Sequence, residues 1–176
     1  MEVPIIEFKN ILYATDLSDS SRYAFNYAAS LANKYNAELT VIHVVDESPE
    51  LPKRLSGYMT EEFWEEIKKR DLVEAREMMI QRKRDNVAIK ECVGQYCEEI
   101  QAASSATPYI TYQITVKIGN PVECIVEEAT AGNFDLIVIG RHGHGTLKDS
   151  VMGSTARRVL RRVVIPALLI PLPEDD

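Results

Sequence analysis

Leu136-Ile137-Val138-Ile139 is a run without a single polar residue, and Ile11-Leu12-Tyr13-Ala14 is another. Leu39 to Val45 is nearly as apolar, broken only by Thr40 and His43. Each run is too short for a buried helix and long enough for a strand. A strand that is apolar at every position must be covered on both faces. That demand leaves few architectures, and the leading one is a parallel sheet held between two layers of helices.

The segments between the runs supply those helices. Ser18 can cap a helix whose first turn carries Asp19, and Ala24, Ala28, Leu31, Ala32 and Tyr35 then recur at steps of three and four. Asn36-Ala37 closes it. Gly119-Asn120-Pro121 opens another, with Asn120 as cap, Pro121 at the first helical position and Glu123 placed to complete a capping box. Val122, Ile125, Val126 and Ala129 form its inner face, and Gly132 ends it. A last helix carries Ala156, Val159, Leu160 and Val163 inward, and Arg157, Arg158, Arg161 and Arg162 form a solvated face. Tyr109 to Ile118 alternates as a half-covered strand, and Ala167 to Ile170, between Pro166 and Pro171, reads as an edge strand.

Between Asp46 and Gly57 the sequence reads as a loop, after which a charged helical region opens at Thr60. Its acids, Glu61, Glu62, Glu65 and Glu66, precede its bases, Lys68, Lys69 and Arg70, as the helix dipole favours. Phe63, Trp64, Met78 and Met79 fit a core or dimer-contact stripe. A break is expected at Arg84-Asp85-Asn86, then a second helical face through Ile89, Val93, Tyr96, Ile100 and Ala103, ending at Ser104 to Pro108. The order β-α-β-α-β-α-β-α-β predicts one α/β domain over residues 1–176, a five-stranded parallel doubly wound sheet with helices on both faces, and a helical insertion at about 47–108. Right-handed crossovers put a ligand at the carboxyl ends of the strands where the order reverses, between the first and fourth.

Composition narrows the function. The chain has 176 residues, and 27 acids against 20 bases leave a net charge of -7. That balance disfavours a nucleic-acid or anionic-membrane coat. No apolar run approaches the ~20 residues of a membrane-spanning helix. Met1-Glu2-Val3-Pro4 opens without a basic or apolar leader, so a cytoplasmic protein is expected. Cys92, Cys97 and Cys124 lack paired spacing and read as thiols of a reducing compartment.

Two features fall in the loops at the expected switch point. One is Ala14-Thr15-Asp16. The other is Ile139-Gly140-Arg141-His142-Gly143-His144-Gly145, followed by Gly153-Ser154-Thr155 at the mouth of the last helix. Glycines let backbone amides approach a ligand closely, and a helix mouth offers unpaired N–H groups to a phosphate. Taken singly, Gly140 could merely end a strand and Gly153-Ser154 merely start a helix. Together at one switch point they predict a nucleotide-like anion between the two glycine clusters. There is no Gly-Lys-Ser or Gly-Lys-Thr of a Walker A loop and no GxGxxG after the first strand.

Gly140-x-x-Gly143, nine residues, then Gly153-Ser154 resembles the nucleotide-binding signature of the universal stress protein family. Ile11 to Asp16 resembles that family's first strand and its acidic residue, Val41 to Asp46 its second strand, and Val164 to Pro171 its closing strand. The resemblance implies an adenine nucleotide alpha hydrolase-like fold. It implies an adenine and ribose pocket lined by Ala14, Thr15, Asp16, Val44, Ile139 and Gly140, with Asp16 accepting from a ribose hydroxyl. Arg141, His142, Gly143, His144, Gly145, Gly153, Ser154 and Thr155 would surround the phosphates of ATP. It also implies a homodimer paired through Ala167 to Ile170. Ala14 stands where proline is common in the family.

His142 and His144 form an HxH, but with no third ligand in sequence they point less to a protein-held metal than to a magnesium (or manganese) ion bridging phosphates. His43 reads as a hydrogen-bonded core histidine, and Arg157, among the arginines of the last helix, lies close enough to its start to feel a phosphate. No catalytic set emerges. The reading is an ATP-binding, homodimeric stress-response regulator with unidentified protein partners, binding no nucleic acid or membrane. The alternatives are a slow ATPase or nucleotidyl transferase using the same pocket, and an interaction module with a vestigial one.

Overall fold

The computed structural model describes residues 6–46, 85–103, 109–143 and 152–172. The loop and charged helix expected between residues 47 and 84, with Phe63, Trp64, Met78 and Met79, lie outside the described residues. So do the ending at Ser104 to Pro108 and the extent of the insertion.

Strands β1 (Asn10–Thr15), β2 (Glu38–Val45), β3 (Tyr112–Ile118), β4 (Leu136–Gly140) and β5 (Ala167–Ile170) form one sheet in the order β3-β2-β1-β4-β5. Every neighbouring pair is parallel. The chain fills one half of the sheet through β3 and then returns to lay β4 beside β1. The order reverses there, with Ile11 opposite Leu136 and Ala14 opposite Ile139.

Among the described residues, four helices cover the two faces: α1 (Asp19–Tyr35), α2 (Asp85–Ala103), α3 (Pro121–Ala131) and α4 (Ser154–Leu160). Because strand side chains alternate, consecutive residues of one strand enter different cores. Ile11, Tyr13, Leu39, Val41, Leu136 and Val138 pack with Ala24, Phe25 and Ala28 of α1 and with Val93, Cys97 and Ile100 of α2. Leu12, Ala14, Ile42, Ile137 and Ile139 pack with Val122 and Ile125 of α3 and Ala156 and Val159 of α4. Double coverage is why these strands read as unbroken apolar runs.

The ends follow from local chemistry. Ser18 caps α1 by accepting from the Ser21 amide, and Asn36 closes it in the left-handed region at φ 51°. Asn120 Oδ1 accepts from the amides of Val122 and Glu123, at 3.0 and 3.3 Å. The other half of the expected capping box is not made. The Glu123 carboxylate turns to Arg162, 2.7 Å from Nη2, so Arg162 is an ion-pair partner and not part of a purely solvated face. β3 starts at Tyr112, not Tyr109: the Ile110 amide donates to Gln101 Oε1 at 2.9 Å, and Tyr109 is exposed. α4 stops at Leu160, and Val163 packs on the second core from beyond its end.

Candidate functional site

A cavity of about 400 Å³ opens at the carboxyl ends of β1, β2 and β4. Its walls are the first turns of α3 and α4 and the segments that follow β1 and β4. Of the sequence-derived site residues, Ala14, Thr15, Asp16, Val44, Ile139, Gly140, Arg141, His142, Gly143, Gly153, Ser154 and Thr155 all line it. His144 and Gly145 lie outside the described residues.

Asp16 sits on a turn of constrained geometry. Leu17 holds φ at 65°, and its amide donates to Thr15 Oγ1 at 3.0 Å. Leu17 is itself buried, which holds the left-handed conformation in place. Asp16 Oδ1 accepts from Ser18 Oγ at 2.5 Å, Ser21 Oγ at 2.6 Å and the Ser18 amide at 3.1 Å. The carboxylate is thereby fixed through one oxygen. The other lies against Gly143, where a Cβ would overlap it. Glycine is what lets the loop after β4 approach the acid of the loop after β1.

The two glycine clusters are joined through backbone. The Gly153 amide donates to the Arg141 carbonyl at 2.8 Å, and the Arg141 amide donates to the Ile170 carbonyl at 2.7 Å. α1 and α3 begin with side-chain caps, whereas α4 begins at Gly153 without one. Arg141 lines the cavity, while its Nε is buried and finds no hydrogen-bond partner among the described residues. The apolar side chains of Val44, Val122, Ile125 and Ile139 line the same cavity.

Several lining residues were not assigned from sequence. His43 is a buried, hydrogen-bonded strand histidine as expected, and it also borders the cavity. Its Nδ1 lies 2.9 Å from the Thr15 carbonyl, which can only accept, so Nδ1 carries the proton. Asp46 follows β2 at the same end of the sheet, and Asn120 and Pro121 arrive with the start of α3. Of the α4 arginines, Arg158 lines the cavity and Arg157 does not. Arg158 stands four residues after Ser154 and shares its helix face, a spacing present in the sequence.

The sheet is that of a doubly wound parallel α/β protein, and the cavity lies where such folds place their ligand sites, at the carboxyl ends of the strands beside the reversal of strand order. The sequence profile of the Universal stress protein family matches residues 7–171, and the chain belongs to that family. Universal stress protein MJ0531 of Methanocaldococcus jannaschii is 30% identical over 169 residues, covering 96% of this chain and 85% of that protein. Universal stress protein UspA from Lactobacillus plantarum has a solved structure with a TM-score of 0.59 at 25% identity, covering 94% of this chain and 99% of that one. A universal stress protein crystallised in complex with cAMP shares the fold, with a TM-score of 0.57 at 21% identity and coverage of 94% and 98%. No helix among the described residues is long and apolar enough to cross a membrane.

Proposed function

We propose that this chain is an ATP-binding regulatory protein of the stress response, acting as a cytoplasmic homodimer. The observation that carries the reading is the cavity at the β1/β4 switch point, lined by Asp16 and by the linked Arg141 and Gly153 loops. Adenine lies against Val44, Val122, Ile125 and Ile139, and Asp16 accepts from a ribose hydroxyl. The phosphates meet the turns at Gly143 and Gly153-Ser154-Thr155, beside Arg141 and Arg158. The fold accommodates cAMP in one solved neighbour, which supports an adenine nucleotide as the class of ligand.

A magnesium or manganese ion would ride on the phosphates with water completing its shell. Among the described residues, no group of three His, Cys, Asp or Glu side chains converges to hold one. The homodimer pairs through β5, one of the sheet's two edge strands, flanked by the exposed Val164 and Leu172.

Nucleotide released from freshly purified protein and identified by mass spectrometry, with calorimetric titration of ATP, ADP and AMP, tests the assignment. ATP binding at one site per chain is expected. Absence of binding to every adenine nucleotide would overturn it. Sedimentation of the chain and of a Leu168→Pro variant tests the dimer, which the variant should dissociate.

A further inference from the structure

We propose that Tyr13 and Tyr96 are positioning residues for sugar recognition. Their hydroxyls pin the first turn of α1, so that Ser18 and Ser21 hold the Asp16 carboxylate in register with a ribose diol. This rests on reading the cavity as an adenine-nucleotide site with Asp16 at the sugar.

Three of the hydrogen bonds that fix Asp16 come from Ser18 and Ser21, so the carboxylate is only as well placed as the start of α1. That start is held from two directions. Tyr13, on β1, donates from its hydroxyl to the Ser21 carbonyl at 2.6 Å. Tyr96, on α2, donates to the Ser18 carbonyl at 3.3 Å. Both phenols are buried, Tyr13 completely and Tyr96 to within 5%. Burial pushes both well above the usual phenol range, so both stay protonated and remain donors.

Neither tyrosine lines the cavity, so neither touches the ligand. Their action is indirect and has a direction: a shift of the α1 start moves Ser18 and Ser21, and with them Asp16. The apolar walls that hold the base belong to β2, β4 and α3 and are not tied to these hydroxyls. Arg22 strengthens the same junction. Its guanidinium lies 4.8 Å from the Tyr96 ring centroid and 3.2 Å from Glu99, fastening α1 to α2. Through Tyr96, α2 reaches the turn that carries Asp16 from 78 positions away in sequence.

A structural role alone would weaken every ligand alike. A positioning role should weaken only ligands that present the diol. Calorimetric titration of wild type, Asp16→Asn, Tyr13→Phe and Tyr96→Phe with ATP and with 2′,3′-dideoxy-ATP separates the two. Each phenylalanine variant should bind ATP about tenfold more weakly, the effect of one misaligned charge-assisted hydrogen bond, and dideoxy-ATP within about twofold of wild type. Tyr96→Phe leaves the Ser18 carbonyl its Arg22 amide donor at 2.9 Å, so it keeps the test usable if Tyr13→Phe fails to fold.

Equal weakening of both nucleotides, or unchanged ATP binding, overturns the positioning role while leaving the nucleotide site intact. Wild-type protein that binds neither nucleotide overturns the site itself and this proposal with it. Wild-type protein that binds both equally, unaltered by Asp16→Asn, removes Asp16 from the sugar and so removes the role proposed for the tyrosines.

Discussion

The Gly153 amide reaches the Arg141 carbonyl across 2.8 Å, and an ideal Cβ on Gly153 would stand 3.2 Å from that same oxygen. Gly153 has φ -61° and ψ 148°, a backbone any residue can adopt. Its glycine is therefore favoured by a close approach and not by conformation. Gly153→Val should force the α4 mouth away from the Arg141 loop. ATP affinity is expected to fall by at least about tenfold, while far-UV circular dichroism stays that of the native fold. Calorimetry checks it, and equal affinity would remove Gly153 from the binding turn.

Gly143 obeys a harsher constraint, because a Cβ there would overlap the Asp16 carboxylate. That carboxylate cannot swing aside without surrendering its bonds to Ser18 and Ser21. Gly143→Ala should cost about 1–3 kcal/mol of stability. Adding Asp16→Ala empties the space, so the double variant should be more stable than the sum of the single losses predicts. Denaturant titration of the three variants measures that coupling, and simple additivity would deny the contact.

The sheet was legible because burial on two faces leaves runs of consecutive apolar residues, Ile11 to Ala14 in β1, Val41-Ile42 in β2 and Leu136 to Ile139 in β4. The switch point followed from counting alternating elements, and it drew attention to the loops that carry Asp16 and Gly143. Contacts made by long side chains across the fold were not legible. Glu123 has the spacing for a capping box, yet an arginine 39 positions later offers a charged partner, and it takes that. Arg157 and Arg158 are equivalent by composition, and the signal that separates them is spacing: Arg158 follows Ser154 by four and shares its helix face. Tyr96 shows no sign of its link to the Asp16 turn, because that link depends on how α2 lies against α1.

The cysteines should be poor nucleophiles. Burial raises the Cys97 thiol to about 12 and the Cys92 thiol to about 11, and it raises Cys124 as well. At pH 8 the thiolate fraction of the native protein is then small at all three. Ellman's reagent should react slowly, first at the half-buried Cys124 or Cys92 and last at the fully buried Cys97. Denaturant should release three equivalents at once. Rapid labelling of Cys97 in the native state would show that α2 opens readily.

The Glu123–Arg162 pair carries a pH signature whose sign can be worked out. The Arg162 hydrogen bond holds the Glu123 carboxyl below its usual range, and Glu123 in turn raises the guanidinium. A carboxyl depressed on folding contributes stability above its unfolded pKa and loses it as pH falls through the folded value. The raised arginine contributes fully below its own unfolded pKa, so across the neutral range both halves are in place. The contribution should fade only in acid, below about pH 4. Both groups are solvent-exposed, which makes the effect small and sensitive to salt. Glu123→Gln should lower the melting temperature by a few degrees at most at pH 7 in low salt, roughly the shift of a weak surface pair. The gap to wild type should narrow as the pH falls below the usual carboxylate range, and it should shrink in 1 M salt, where the Debye length is about 3 Å. Melting curves across that pH range and at two salt concentrations check it, and a gap that responds to neither would mean that Glu123 does not act through its charge.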